Sequence, residues 1–421
     1  MTTKLFYNAR IFTPQDPGAP LAGASQDRVR VYENGALLVG DGRVARIGPG
    51  AEVRGEIARS GAEVHQEIDC RGACLVPGFV DPHTHMCFLR PREAEFDLRL
   101  AGTPYLEILA RGGGILSSVS DVRAAAEADL LAATRRRALT ALGLGTTTVE
   151  IKSGYGLDTA TELRMLRVID RVGRELPLDV VPTFLGAHAV PEEFRADPDG
   201  FVALIVNEML PAVRQQGIAR FCDVFCERGV FSIAQTRRIL QAARDAGLQL
   251  KLHADEVHDL GGAGLAAELK AISADHLLAA SDANIARMRQ AGVVASLLPA
   301  TAYSLRKPYA PARRMIQGGV PVALASDCNP GSSFTESMPF VFGLAVLQMG
   351  LSPLEALTGV TLNAAYALGV AGRVGSLDPG KQADFLLLDG ESPAILAYHA
   401  GVSPLTAVYK RGELVAGKEQ P

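Results

Sequence analysis

Charge of one sign, long apolar runs and patterned cysteine are all missing from this chain, and each absence removes a class of function. Basic and acidic residues number 42 and 46, a net charge of −4, with no basic block. Nothing is therefore present to neutralise rows of phosphates, which argues against nucleic acid and against an anionic membrane surface as partners. The most apolar stretch, Met338 to Leu351, is interrupted by Gln348 and is shorter than a bilayer requires, so a buried helix is expected there. The opening residues Met1-Thr2-Thr3-Lys4-Leu5-Phe6-Tyr7-Asn8 carry no signal-peptide core, and a cytoplasmic location is expected. The six cysteines (Cys70, Cys74, Cys87, Cys222, Cys226, Cys328) lack the spacing of a small disulfide framework and lie mostly in apolar segments. Buried thiols in a reducing compartment follow from that pattern. No internal repeat or low-complexity segment stands out.

What is present is a large hydrophobic fraction, 48% of 421 residues, enough for one large domain and a smaller one. The two ends read as β structure. Short apolar runs (residues 36–39 and 44–47) are punctuated by Gly40-Asp41-Gly42 and Gly48-Pro49-Gly50, which are hairpin and turn signals. Residues 383–389 and 406–412 look alike. The middle alternates strand and helix patterns. Strand candidates cover 76–82, 146–151, 180–185, 221–225, 249–253, 271–276, 293–298 and 320–327. Ser232 with Gln235, and Ser352-Pro353 with Glu355, are helix-start signals. The expected architecture is an α/β fold: a (β/α)8 TIM-like barrel over 76–375, with a small β-sandwich made from 1–75 and 376–421.

A barrel of this kind collects reactive residues where its strands end. The strand 76–82 runs into His83-Thr84-His85, and side chains two apart on a strand share a face. His188 follows the third strand, His253 ends the fifth with Glu256 just beyond, His276 ends the sixth and Asp327 the eighth. A lone His-x-His is common, Asp327 alone reads as a helix cap, and His276 alone as a hydrogen-bonded core residue. Together at successive strand ends they read as a site. His83, His85, His253 and Asp327 suit one divalent ion with a place left for water. Water on such an ion ionises near neutral pH, and a carboxylate beside it, Glu256 or Asp327, can relay the proton to a leaving nitrogen. His276 is placed to polarise the carbonyl under attack. The class implied is metal-assisted hydrolysis. A two-metal site bridged by a modified lysine is less well served, because Lys152 follows the second strand and the fourth ends in Cys226-Glu227-Arg228. His65, His258 and His399 read as structural or surface residues.

The order of these motifs resembles the amidohydrolase superfamily. So does the C-terminal run from Gly375 to Phe385, which looks like the strand that rejoins the small domain in that group. Within it the likeness is greatest to the branch that opens an imidazolone ring. It is carried by Asp81-Pro82-His83-Thr84-His85, Arg92-Glu93-Ala94-Glu95-Phe96, residues 150–157 (Glu-Ile-Lys-Ser-Gly-Tyr-Gly-Leu), Leu185-Gly186-Ala187-His188, His253-Ala254-Asp255-Glu256 and residues 326–333 (Ser-Asp-Cys-Asn-Pro-Gly-Ser-Ser). The resemblance implies hydrolysis of 4-imidazolone-5-propanoate to N-formimidoyl-L-glutamate in histidine breakdown, with Zn²⁺ or Fe as the ion. It also implies substrate roles for Arg92, Tyr155, His188, Glu256, Asn329, Gly331 and Ser332. An arginine fork suits a propanoate, and glycine lets backbone approach a ligand. Leu89-Arg90-Pro91 departs from the small, glycine-rich lead-in of that branch and leaves Arg90 as a second candidate for the carboxylate. A deaminase of the same superfamily, acting on a ring amine with the same ligands, is the alternative enzyme. A metal-free binding barrel is the non-enzymatic one. A homodimer is the default expectation.

Overall fold

A computed structural model describes residues 3–103 and 113–417. Eight parallel strands form the central sheet: β1 (Phe79–Asp81), β2 (Thr146–Lys152), β3 (Asp179–Ala187), β4 (Phe221–Cys226), β5 (His253–Ala254), β6 (Ser273–His276), β7 (Val294–Leu297) and β8 (Val322–Leu324). They neighbour one another in chain order. The sheet closes beyond the ends of β1 and β8, where Asp327 N–H donates to His83 O (3.0 Å) and His85 N–H to Cys328 O (2.9 Å). Asp81 reinforces the seam by accepting from Ser326 Oγ (2.5 Å) and Ser326 N–H (3.1 Å). Three of the four expected ligands, His83, His85 and Asp327, therefore lie on the segments that shut the barrel.

Helices cover the strands as their sequences require. Ser232 caps Ile233–Asp245 and Ser352 caps Pro353–Gly359, each through a reciprocal box with Gln235 or Glu355. Asp158 caps Thr159–Glu175, whose Met165, Leu166, Ile169 and Val172 are buried. Met338–Met349 is a helix as expected, although Leu347 on it is exposed. All six cysteines are buried and free.

The chain ends build a second sheet of eight strands. Thr3–Pro14, Val29–Gly40, Arg43–Pro49, Gln66–Asp69 and Cys74–Pro77 come from one end, and Phe385–Leu388, Leu405–Lys410 and Glu413–Gly417 from the other. The sheet curls until Arg43 bridges Gln382, and encloses Phe6, Ile11, Leu37, Leu75, Phe385 and Tyr409. Stacking of Phe385 on Tyr409 (centroids 4.6 Å apart) helps to fill that interior.

Three expectations need correction. The run 76–82 is not one strand. Cys74–Pro77 pairs in the small sheet, and only Phe79–Asp81 enters the barrel. Pro77 has no N–H to extend a ladder, and Gly78 passes so close to β2 that a Cβ would lie 2.3 Å from Thr147 Oγ1. The expected fifth strand is present in two pieces, Gln249–Leu250 and His253–Ala254. Gly48-Pro49-Gly50 does not turn a hairpin but starts the helix Gly50–Ser60, with Pro49 at its cap.

Candidate metal centre and active site

At the C-terminal end of the barrel four donor atoms converge. His83 Nε2 and His85 Nε2 lie 3.2 Å apart, and His85 Nε2 and His253 Nε2 lie 3.3 Å apart. Asp327 Oδ1 is 3.5 Å from His83 Nε2 and 3.4 Å from His85 Nε2. Ligands held about 2.1 Å from an ion at tetrahedral angles stand about 3.4 Å from one another, so the spacing fits a small divalent cation. His276 belongs to an overlapping group with His83 and His253, their ligand atoms all within 4.8 Å.

Carboxylates behind the rings of His83 and His253 fix which nitrogen faces the gap. His83 Nδ1 is 2.6 Å from Asp275 Oδ2, and His253 Nδ1 is 3.0 Å from Asp223 Oδ2. A carboxylate holds the proton on Nδ1, leaving the Nε2 lone pair to face inward. Two such lone pairs and the Asp327 carboxylate then meet at one point, an arrangement that calls for a cation. Burial, then the Lys152 ammonium, push the His83 ring well below its ordinary value. Burial likewise takes His253 to about 4, so both rings are neutral, as ligands must be. Burial pulls the Asp223 carboxyl upward, but the His253 Nδ1–H facing it and the Lys152 ammonium outweigh it and hold it well below the usual range. Asp327 is also lowered: burial opposes this, but its bond to His85 and the His276 ring prevail. Its Oδ2 accepts from Thr301 Oγ1 at 2.5 Å. Asp255 (φ +50°), His276 (φ +76°), Leu277 (φ +62°) and Asp327 (φ +54°) all hold left-handed backbone at the ends of β5, β6 and β8. Such conformations cost about 1–2 kcal/mol each for non-glycine residues and collect at sites that re-aim side chains.

Above the donors opens a cavity of about 580 Å³. His85, His253, His276 and Asp327 line its floor; Arg92, Arg99, Tyr155, His188, Glu256, Asn329, Gly331 and Ser332 are among those lining the rest. Every site residue expected from the sequence thus borders one cavity or, for His83, lies directly beneath it. The His188 ring stacks on His85 (centroids 4.8 Å, 17° between planes) and its Nδ1 donates to Gly154 O (3.0 Å). Tyr155 is buried with its ring 5.3 Å from that of His188. Burial raises the Glu256 carboxyl, and the like charge of Asp327 adds to this. Its neighbours are pinned: Asp255 accepts from Gly262 and Ala263 N–H, and Glu227 from Val257 N–H and His258 Nδ1.

A profile described as the amidohydrolase family matches residues 74–415. A relative from Syntrophobacter fumaroxidans named imidazolonepropionase is 66% identical over 98% of this chain and 96% of its own length. The chain belongs to the amidohydrolase family, in its imidazolonepropionase branch. A second imidazolonepropionase, from Desulfotalea psychrophila, is also 66% identical, over 99% of this chain and 100% of its own. The solved structure of an adenosine deaminase from Xanthomonas campestris with bound zinc shares the fold, with TM-score 0.70 and 19% identity, covering 99% of this chain and 94% of that one. Guanine deaminase from E. coli gives TM-score 0.69 at 16% identity over 99% of this chain and all of that one.

In this amidohydrolase the rim residues are held by one another. Gly331 makes room for Arg92: a Cβ there would lie 1.8 Å from Arg92 Nη2. Asn329 spends its amide on its own turn, Oδ1 accepting from Gly331 N–H (2.8 Å) and Ser332 N–H (2.7 Å), and Nδ2 donating to Asp327 O (2.7 Å). Arg90 is exposed, whereas Arg92 lines the cavity and donates to Ser118 Oγ (3.0 Å). Arg99, anchored to Gly331 O at 2.8 Å, borders the cavity and was not singled out from the sequence. Neither were Asp223 and Asp275. The sequence signal was a charged residue inside an apolar strand; the histidine each one meets, His253 for Asp223 and His83 across the barrel for Asp275, emerges only from the closed barrel.

Proposed function

We propose that this enzyme hydrolyses the cyclic amide of 4-imidazolone-5-propanoate to N-formimidoyl-L-glutamate, a step of histidine degradation. The observation that carries it is the union, in one cavity, of an ion-binding floor with a guanidinium at the rim. The floor attacks an amide; the guanidinium selects a substrate bearing a carboxylate. Relatives at 66% identity over nearly the whole chain, named imidazolonepropionase, support the same reading.

His83, His85, His253 and Asp327 would hold one ion per chain, Zn²⁺ or Fe. That ion supplies Lewis acidity, polarising an oxygen and making water acidic near neutral pH. The remaining work falls to the chain. Arg92 forks onto the propanoate. Tyr155 and His188 flank the ring, and the Asn329-to-Ser332 turn shapes the wall beside it. His276 donates to the carbonyl oxygen as negative charge develops there. The two carboxylates have been pushed apart by their surroundings, which divides acid from base. Asp327, held low, accepts the proton of the attacking water. Glu256, held high, delivers a proton to the departing ring nitrogen as the C–N bond breaks. One water is consumed: its oxygen bonds to the ring carbonyl carbon as the C–N bond breaks, and that carbon becomes a carboxylate of the single ring-opened product. Because Val76 and Pro77 pair in the small sheet, we move the first domain boundary from residue 76 to Gly78, keep the second at residue 375, locate the enzyme in the cytoplasm and read it as a homodimer. Among the described residues no helix is long and apolar enough to cross a membrane.

Freshly prepared 4-imidazolone-5-propanoate should lose its absorbance when the enzyme is added, and chelation should stop the loss. Ammonia release without ring opening would instead establish a deaminase.

A further inference from the structure

Beneath the histidines the barrel interior holds charge where a core is ordinarily apolar. Glu150 and Lys152 on β2, Asp223 on β4, Lys251 before β5 and Asp275 on β6 are all fully buried. Lys152 Nζ lies 2.7 Å from Glu150 Oε2, 2.7 Å from Asp223 Oδ2 and 3.9 Å from Asp275 Oδ2. Lys251 Nζ donates to Pro82 O (2.6 Å), and lies 2.9 Å from Glu150 Oε2 and 3.7 Å from Asp275 Oδ2. Glu150 Oε1 accepts from Thr183 Oγ1 at 2.5 Å. Stability does not account for the cluster, since buried ion pairs can often be replaced by packed apolar side chains without loss. What distinguishes this one is where it ends: the two aspartates it grips are those bonded to His83 and His253.

We propose that Lys152 and Lys251, tied together by Glu150, are positioning residues that lock Asp223 and Asp275 behind His253 and His83, and so aim both Nε2 lone pairs at the ion site. Lys152 also occupies, with its own charge, the place where His83, Asp223 and Asp275 would otherwise gather a second cation. Lys152 therefore serves as a fixed internal cation and limits the site to one ion. The proposal rests on the ion-binding reading of His83, His85, His253 and Asp327.

The test measures zinc release from the zinc-loaded enzyme to a chromogenic chelator, for the parent, Lys152→Met and Lys251→Met, with thermal melting to confirm folding. Release should be roughly ten- to a hundredfold faster in each variant, the usual consequence of disturbing a ligand's outer partner. Imidazole ¹⁵N spectra of the loaded proteins add a readout that general loosening does not move selectively. Lys152→Met should shift the His253 Nδ1 signal more than that of His83, and Lys251→Met the reverse. Folded variants that keep zinc within twofold of the parent, or that shift both rings alike, overturn the proposal. If Lys152→Met does not fold, the pair Lys152→Met/Glu150→Gln preserves the buried net charge and is judged by the same criteria. A parent that holds no ion refutes the ion-binding reading instead, so the two failures are distinct.

Discussion

At the floor of the cavity, the ring nitrogens of His83 and His253 that face away from the ion site lie 2.6 and 3.0 Å from buried carboxylates, and those carboxylates are gripped by buried ammoniums. At the rim, Arg92 pairs with Glu95 from its own helix turn (3.2 Å) and leans on a serine hydroxyl and on a backbone with no side chain in its way, and Asn329 holds together only its own turn. The floor is set on strands or on the residues directly after them; the rim is set on loops. In the proposed function, floor residues direct water to a carbonyl and rim residues select which molecule brings it. Damage to the floor should therefore act on turnover and ion content, and damage to the rim on substrate affinity.

The largest effect should come from Asp327→Asn, which keeps the shape of the floor and removes its charge. Turnover is expected to fall by about 10³-fold, the scale of a lost acid–base group, with less than one ion retained per chain by elemental analysis. Turnover within tenfold of the parent would mean that the floor does not do the chemistry. Asp275→Asn reaches the same floor from one step further out. It should weaken ion affinity by roughly ten- to a hundredfold through His83, while the Michaelis constant at saturating metal stays near that of the parent.

Rim variants should show the opposite signature. Arg92→Ala removes a charge-assisted bond worth about 1.5–3 kcal/mol. It should raise the Michaelis constant roughly ten- to a hundredfold and leave turnover nearly intact, as expected of a contact made equally in ground and transition states. Arg90→Ala, at an exposed position two residues away, should change neither. Equal effects from the two would place the carboxylate outside the cavity.

The same division explains what was legible in the sequence. His83, His85, His253, His276 and Asp327 stood out because strand ends carry reactive side chains to one face of a barrel, and strands can be counted. The small sheet was visible from its turns, whereas the change of sheet at Gly78 was not: it depends on Thr147, 69 residues away, lying where a Cβ on residue 78 would fall 2.3 Å from its Oγ1. Asp223 and Asp275 were hidden for a related reason. Asp223 on β4 faces His253 on the next strand, and Asp275 on β6 faces His83 beyond β1, across the barrel, so both pairings exist only once the barrel closes. The rim was legible by resemblance, yet the physical reasons for Gly331 and Asn329 came only from seeing Arg92 beside one and the turn closed by the other.

The smallest effect separates packing from charge at the rim. In Gly331→Ala the new Cβ would sit 1.8 Å from Arg92 Nη2, and the far end of that flexible side chain can swing aside while the rest of the loop stays put. The guanidinium remains charged but is displaced from Ser118 Oγ. The Michaelis constant should then rise severalfold, less than in Arg92→Ala, with turnover and ion content unchanged. The double variant Gly331→Ala/Arg92→Ala should be no worse than Arg92→Ala alone, because the added methyl then has nothing to displace. Additive losses would show that Gly331 touches substrate directly, and the rim would need to be redrawn around the backbone rather than around the guanidinium.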